Sequence, residues 1–487
     1  MKSRDHSYDL AITAIFLIGL AIPFFANLVP VPVYDDKTIM DTNSFVASAD
    51  YYSIWTTSYW DGVKKLSQNE NLYYRPLFLS IFSFLKSNFQ ILRLLVVLMH
   101  SCIAYIGWRF LNQRISDASE AQRTYLQGAA GLVLAFFLLG PAQVEVTAQA
   151  IGLMEVMPLL HGVLAFALVA ESPWLAVLVL AGTPAWKETG LIWLFGFGVY
   201  FIKKKIFGPA TATLLALAGW LSVRILISGS VYKPQLKPYH LLNPTVNMDF
   251  VDSLFSHVAL IGHNLRVAFL PFELSSDYSR GTLPLPGYPL QIWVLATAAF
   301  LAILWRWRRD IPPVIWISLI SILPTLDVTG TLVIIFAERF GYPFRFAVAY
   351  LLFLGFEKLW PLIRDKSISV VNPKVLVPTL GFIVFFGFSY LSFIRHQDWR
   401  SPVHLFSRDV ATYPYNAKLQ FNLGVAYGGA SNWIPAREHL VAAVNMAPDF
   451  PEAHFRLGLV YRALGENERA QEHFKVAHDL GWIFQRD

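Results

Sequence analysis

Apolar runs of about 20 residues, parted by short segments that hold most of the lysines and arginines, recur from residue 10 to residue 394. A helix needs about 20 apolar residues to cross the hydrocarbon core of a bilayer. In lipid, backbone groups must find partners within their own segment or a closed barrel. The pattern therefore constrains most of the chain to an all-α, polytopic membrane protein. Runs fall at about 10–33, 91–110, 127–143, 150–170, 174–186, 189–202, 208–228, 289–305, 312–326, 342–361 and 374–394, giving about 11 spans. Several are short, as expected of tilted or broken helices around a cavity. The apolar piece 254–272 is interrupted by His257, His263, Asn264 and Arg266, and is read as an interfacial or re-entrant helix. The basic segments around Lys203-Lys204-Lys205 and around Arg306, Arg308 and Arg309 then share one side, the cytoplasm. The N-terminus is placed inside and the C-terminus outside.

Composition agrees. Charged residues make up 15% of the 487, against about 25% in soluble domains. The net charge of +6 lies in the loops between runs, where topology accounts for it, so no nucleic-acid partner is implied. The single cysteine, Cys102, excludes an intrachain disulfide and a cysteine-based zinc site. No small-residue cleavage site follows the first run, which is read as a retained span.

Residues 1–395 are read as the membrane domain. Its external side carries two large loops, 34–90 and 229–288; the first is aromatic and polar and is expected to lie along the membrane as amphipathic helices. After Arg395 the composition becomes more charged. Leu423-Gly424, Tyr427, Ala436, Leu440, Ala443 and Pro448 match the tetratricopeptide pattern, and Leu457-Gly458, Tyr461, Ala470, Phe474 and Ala477 repeat it 34 residues on. Residues 396–487 are thus expected to form a tetratricopeptide α-hairpin domain outside the cytoplasm. Its repeats are placed at about 417–450 and 451–484, with a half-repeat before them. Such arrays need about three repeats to stand alone, so this one is expected to lean on the membrane body, a second copy or a partner.

Val33-Tyr34-Asp35-Asp36 stands where the first span ends. Two adjacent carboxylates at a membrane surface repel each other and are costly to desolvate, which makes them candidates for function; a polar flank that stops the helix sliding is the plainer reading. Asp35, Asp36, Glu145, Glu155, Glu188 and Glu338 are the acidic candidates and Arg75, Lys187, Arg339 and Arg345 the basic ones. Buried charges must pair with one another or meet a charged ligand, so internal ion pairs compete with a ligand site. His100, in mid-span, is read as a core histidine bonded to a backbone carbonyl. His257 and His263 make no metal-ligand set and no metal residues are assigned; the cofactor is left open, a divalent metal included. Phosphate-cradling glycine loops and serine–histidine–acid triads are absent. No Asn-x-Ser/Thr acceptor sequon is present, Asn243-Pro244-Thr245 being excluded by its proline.

In order along the chain, Val33-Tyr34-Asp35-Asp36, Tyr74-Arg75-Pro76-Leu77, Leu98-Met99-His100, Pro141-Ala142-Gln143-Val144-Glu145, Gly152-Leu153-Met154-Glu155, Lys187-Glu188-Thr189, Phe269-Leu270-Pro271-Phe272, Ser276-Asp277-Tyr278-Ser279 and Ala337-Glu338-Arg339-Phe340-Gly341-Tyr342-Pro343 resemble the O-mannosyltransferases that carry tetratricopeptide repeats. Gln397-Asp398-Trp399 and Asn422-Leu423-Gly424 open the repeats as that family does. Gly140 stands where the family usually has histidine, and Leu153-Met154-Glu155 where it usually has Arg-Ala-Asp. The array is also shorter than in animal members.

The resemblance implies a type C glycosyltransferase architecture. Such enzymes take a sugar from a polyprenyl-phosphate donor held in membrane lipid and use an acidic residue of the first external loop. Asp36 or Asp35 would be the base, with direct displacement inverting the anomeric centre, and Glu145 a second acid. Arg75, Lys187, Arg339 and Arg345 would bind the donor phosphate, the guanidinium fork matching its geometry. Trp60, Tyr74, Glu155 and Glu188 would contact the acceptor or sugar. The acceptor is a protein or glycan presented by the repeats. The short array and missing sequons point to a bacterial inner membrane with the repeats in the periplasm; an endoplasmic reticulum membrane with lumenal repeats is the alternative. A rival reading is a non-catalytic scaffold whose repeats recruit a partner. A transporter would show two similar halves, which this chain lacks.

Overall fold

The structure, a computed structural model, describes residues 6–26, 32–33, 36–37, 39, 43–57, 74–228, 241, 243–245, 248–282, 290–325, 336–364 and 373–482. Asp35 and Trp60 lie outside the described residues, as do Tyr34 and Tyr73. Every regular element described is helical. Among the described residues five stretches are long and apolar enough to cross a membrane: Phe89–Ser116, Gln122–Thr147, Ala150–Leu168, Phe207–Ile227 and Thr379–Asp398. The protein is an all-α membrane protein.

Two units emerge from the packing. The first comprises residues 1–233, 303–324 and 339–397. Its principal helices are α1 (His6–Phe25), α2 (Pro76–Leu85), α3 (Phe89–Ser116), α4 (Glu120–Leu138), α5 (Leu153–Leu168), α6 (Pro173–Ala181), α7 (Gly190–Lys203) and α8 (Phe207–Ser228). The second comprises residues 234–302, 325–338 and 398–487, and its first long helix is α9 (Phe250–Phe269). Helix α10 (Leu290–Trp307) runs from the second into the first, which then adds α11 (Pro313–Ile320), α12 (Tyr342–Arg364) and α13 (Pro373–Asp398). The rest of the second unit is α14 (Pro402–Thr412), α15 (Ala417–Gly429), α16 (Trp433–Met446), α17 (Pro451–Ala463) and α18 (Asn467–Asp479).

In the first unit α4 is central. It packs on α1, α3 and α12, and residues 129–139 are buried apart from Gly131. The peripheral helices are apolar on the outside: Leu215 and Leu226 of α8 and Phe382 and Ile383 of α13 are exposed. Such surface is a liability in water and is the face expected towards acyl chains. α4 stops where Gly140-Pro141 follows. Proline donates no amide and clashes with the carbonyl four residues back, so the chain continues as short helices, Pro141–Gln143, Val144–Thr147 and Ala150–Gly152, before α5. Irregular backbone at such depth is tolerated only when enclosed by protein, and residues 141–156 are all buried.

In the second unit α15 with α16 and α17 with α18 form helical hairpins in 34-residue register. Gly424 and Gly458 take equivalent places. A Cβ on Gly424 would stand 2.7 Å from Leu440, and one on Gly458 would stand 2.6 Å from Phe474. Glycine is therefore what lets each pair close. Ala436, Leu440, Ala443, Phe450, Ala453, Leu457 and Ala470 form one continuous core through both hairpins. The loop 273–282 is held from two sides. Glu338 accepts from the Ser275 amide (2.9 Å) and the Tyr278 hydroxyl (2.8 Å). Asp409 accepts from the Ser276 amide (2.7 Å) and hydroxyl (2.6 Å), and Tyr413 donates to the Glu273 carbonyl (2.7 Å).

Candidate functional site

The polar side chains of the first unit converge from segments between helices. Arg75 sits just before α2, where Pro76 opens the helix. Its guanidinium grips Glu188, with Nε at 3.0 Å and Nη2 at 2.8 Å from the same oxygen. Glu188 also accepts from the Tyr74 amide (3.3 Å) and stands 3.6 Å from Arg224 of α8. Burial alone would push the Glu188 carboxyl up, but Arg75 and Arg224 outweigh it and hold it below the ordinary carboxylate range. Lys187 pairs with Glu155 in the first turn of α5, and its ammonium also lies 4.9 Å from the Phe340 ring. Glu145 accepts from the Arg339 backbone amide (2.8 Å) and from its guanidinium. Arg345 donates to Gln143 (3.1 Å).

Asp36 is 1% exposed. One of its oxygens accepts from the Ala150 amide (2.9 Å) and the other from the Ile151 amide (2.8 Å). Tyr74 is also buried; its hydroxyl donates to the Trp55 carbonyl (2.7 Å) and its ring packs on Trp220. His100 contacts the Leu138 carbonyl (3.3 Å) and the Tyr342 hydroxyl (2.7 Å), as expected of a core histidine.

The structure thus brings together Asp36, Glu145, Glu155, Glu188, Arg75, Lys187, Arg339 and Arg345. The links continue electrostatically: Lys187 feels Arg75 and Arg339, Glu145 feels Arg395, and Arg93 feels Asp36. Arg93, Arg224, Arg395, His396 and Gln143 were not singled out from the sequence. Arg93 and Arg224 stand inside apolar runs, where a charge is itself a signal. His396 contacts the Thr147 hydroxyl (3.0 Å). Among the described residues of this cluster, the seven cations Arg75, Arg93, Lys187, Arg224, Arg339, Arg345 and Arg395 meet the four carboxylates Asp36, Glu145, Glu155 and Glu188.

Towards the other end of α3 a cavity of about 180 Å³ is walled by Ala104, Gly107, Leu111, Phe137, Phe166 and Phe346. It begins 11 residues beyond Arg93, roughly 16 Å along the helix. Its lining is mainly apolar, and Arg114 beside it is paired with Glu357 at 2.7 Å. Among the described residues no cluster of three or more histidine, cysteine or acidic side chains is placed to hold a metal.

An all-helical membrane protein whose first unit gathers cations and carboxylates from the segments between its helices defines the class. Sequence comparison is more particular. The chain is 26% identical over 232 residues to human (Homo sapiens) protein O-mannosyl-transferase TMTC3, covering 45% of this chain and 24% of that protein. It is 27% identical over 237 residues to the mouse (Mus musculus) protein of the same name, with the same coverage. The chain resembles these O-mannosyltransferases, and the match spans about a quarter of their length. No family model and no solved structure matches.

Proposed function

We propose that the protein is a membrane glycosyltransferase. It moves a sugar, mannose by analogy with the names of its relatives, from a polyprenyl-phosphate carrier to a hydroxyl of an acceptor outside the cytoplasm, a protein serine or threonine. The observation that carries this reading is the convergence of Arg75, Lys187, Arg339 and Arg345 among carboxylates in a unit walled by apolar helices. A lipid-linked phosphate needs cations at membrane depth and hydrocarbon beside them.

In the proposed reaction the acceptor oxygen attacks the anomeric carbon. The bond from that carbon to the phosphate oxygen breaks, and polyprenyl phosphate leaves with the bonding pair. The acceptor's proton passes to a carboxylate of the Asp35-Asp36 pair; base catalysis of this kind contributes about 10²–10⁴-fold. Attack from the face opposite the phosphate inverts the centre. Arg75, Lys187 and Arg339 stabilise the charge that grows on the departing phosphate. The hairpins α15–α18 are read as tetratricopeptide repeats that present the acceptor.

The test supplies membranes holding the full chain with polyprenyl-phosphate mannose and serine/threonine peptides, and follows transfer by mass spectrometry. Arg75→Ala and Arg339→Ala are expected to lower transfer at least about tenfold, the worth of one charged hydrogen bond. Full activity in both, and in Asp35→Asn and Asp36→Asn, would end the site assignment.

A further inference from the structure

We infer that, of the Asp35-Asp36 pair, Asp36 is a positioning residue that clamps the start of α5, and is not the group that takes the acceptor's proton. This rests on the transferase reading above. The first amides of a helix have no partner within it, and a helix N-terminus favours an anion. Ala150 and Ile151 carry two such amides, and each is bound to a different oxygen of Asp36. The turn they belong to has no slack. A Cβ on Gly152 would collide with the Val146 carbonyl oxygen. Three residues on, Glu155 holds Lys187. Asp36 therefore fixes the segment that places a donor-side cation.

Arg93 is coupled to this clamp through charge. Its side chain is buried, its Nε has no hydrogen-bond partner among the described residues, and it interacts electrostatically with Asp36. A base must present a lone pair to the substrate hydroxyl within hydrogen-bond reach. Asp36 is 1% exposed and has both oxygens turned to chain amides.

The experiment uses the full chain in nanodiscs with polyprenyl-phosphate mannose as the titrated donor. Asp36→Asn replaces one acceptor oxygen with a donor that cannot receive an amide. It is expected to raise donor KM about tenfold, to hold kcat at saturating donor within about fivefold, and to leave the pH profile of kcat in place. Asp35→Asn is expected to lower kcat about a hundredfold or more at unchanged KM. Arg93→Lys is expected to keep donor KM near the wild-type value while Arg93→Gln raises it, so these two variants carry the test should Asp36→Asn fail to accumulate. A hundredfold loss of kcat in Asp36→Asn at unchanged donor KM would overturn the inference, as would equal KM values in the two Arg93 variants. If the wild type transfers no sugar, the transferase reading fails alone. The clamp is then read from thermal melting: Asp36→Asn and Arg93→Gln together should cost less than the sum of the two singly, and strictly additive losses would overturn it.

Discussion

At the scale of single residues, the cations of the first unit already have acids beside them. Arg339 with Glu145 is the most enclosed such pair, Glu145 being 1% exposed. Removing one member of a buried pair strands the other, at a cost of about 3–5 kcal/mol. Glu145→Gln is therefore expected to lower the melting temperature of the purified protein sharply, while exposed charges such as Arg469 tolerate replacement. Lys187 gives a pH signature. Burial pushes its ammonium below the usual 10.5, with Arg75 and Arg339 adding to the effect and Glu155 opposing it. A lowered lysine is fully charged only below its own pKa and loses its pull on an anion as pH rises through it. Donor KM should accordingly climb on the alkaline side at a pH under 10.5, and Lys187→Arg should remove that limb, because arginine stays charged there. Residue types at the cluster were legible in the sequence because charges in apolar surroundings stand out. Which acid holds which cation was not, because partners such as Arg75 and Glu188 lie 113 residues apart and no spacing rule connects them. Asp36 as an acceptor for the 150–151 amides was equally out of reach of pattern.

At the scale of elements, long helices supply the apolar walls, and most of the candidate chemistry sits in the short segments between them. The helices observed at 89–116, 207–228, 342–364 and 373–398 cover the apolar runs read at 91–110, 208–228, 342–361 and 374–394, because composition over 20 residues is a strong signal. The short helices at 141–152 are built by Pro141, Gly152 and their tertiary partners, and periodicity does not reach them. Loop 273–282 makes the same point: Asp409 holds Ser276 across 133 residues of sequence. Asp409→Asn should weaken both bonds, costing about 1–3 kcal/mol, and expose residues 273–282 to limited proteolysis. In the hairpins, Gln420 pairs with His439 (2.7 Å) and, 34 residues on, His454 pairs with His473 (3.0 Å). Tyr427 stacks on His439 of α16 and Tyr461 on His473 of α18. Burial lowers His473 below 6.5, with His454 adding and Glu472 opposing. A histidine lowered in the fold takes up its proton more readily when unfolded, so stability falls as pH drops through about 6.5 towards the folded value. His454→Gln, which copies the first hairpin, should flatten that dependence in melts between about pH 7 and 5.

For the molecule as a whole, orientation follows from where the basic loops lie. With Cys102 as the one thiol, a Cys102→Ser background permits single-site labelling. A cysteine replacing Lys204 should be shielded from an impermeant maleimide applied outside, and one replacing Asn432 should react; the reverse pattern would invert the topology. The division into two units cuts across the chain, residues 234–302 packing with 398–487. Contiguity in sequence suggested a simpler boundary at 395, since composition changes there and the long-range partners of loop 273–282 leave no trace in composition. One feature of the first unit governs how an occupant comes and goes. Arg75, Lys187 and Arg339 each lean on an acid of the chain, so on the proposed reading an arriving phosphate would enter by exchange and set a carboxylate loose as it settles. Its departure lets that carboxylate return. On the proposed reading the same acids would hold the cations in place between one carrier and the next.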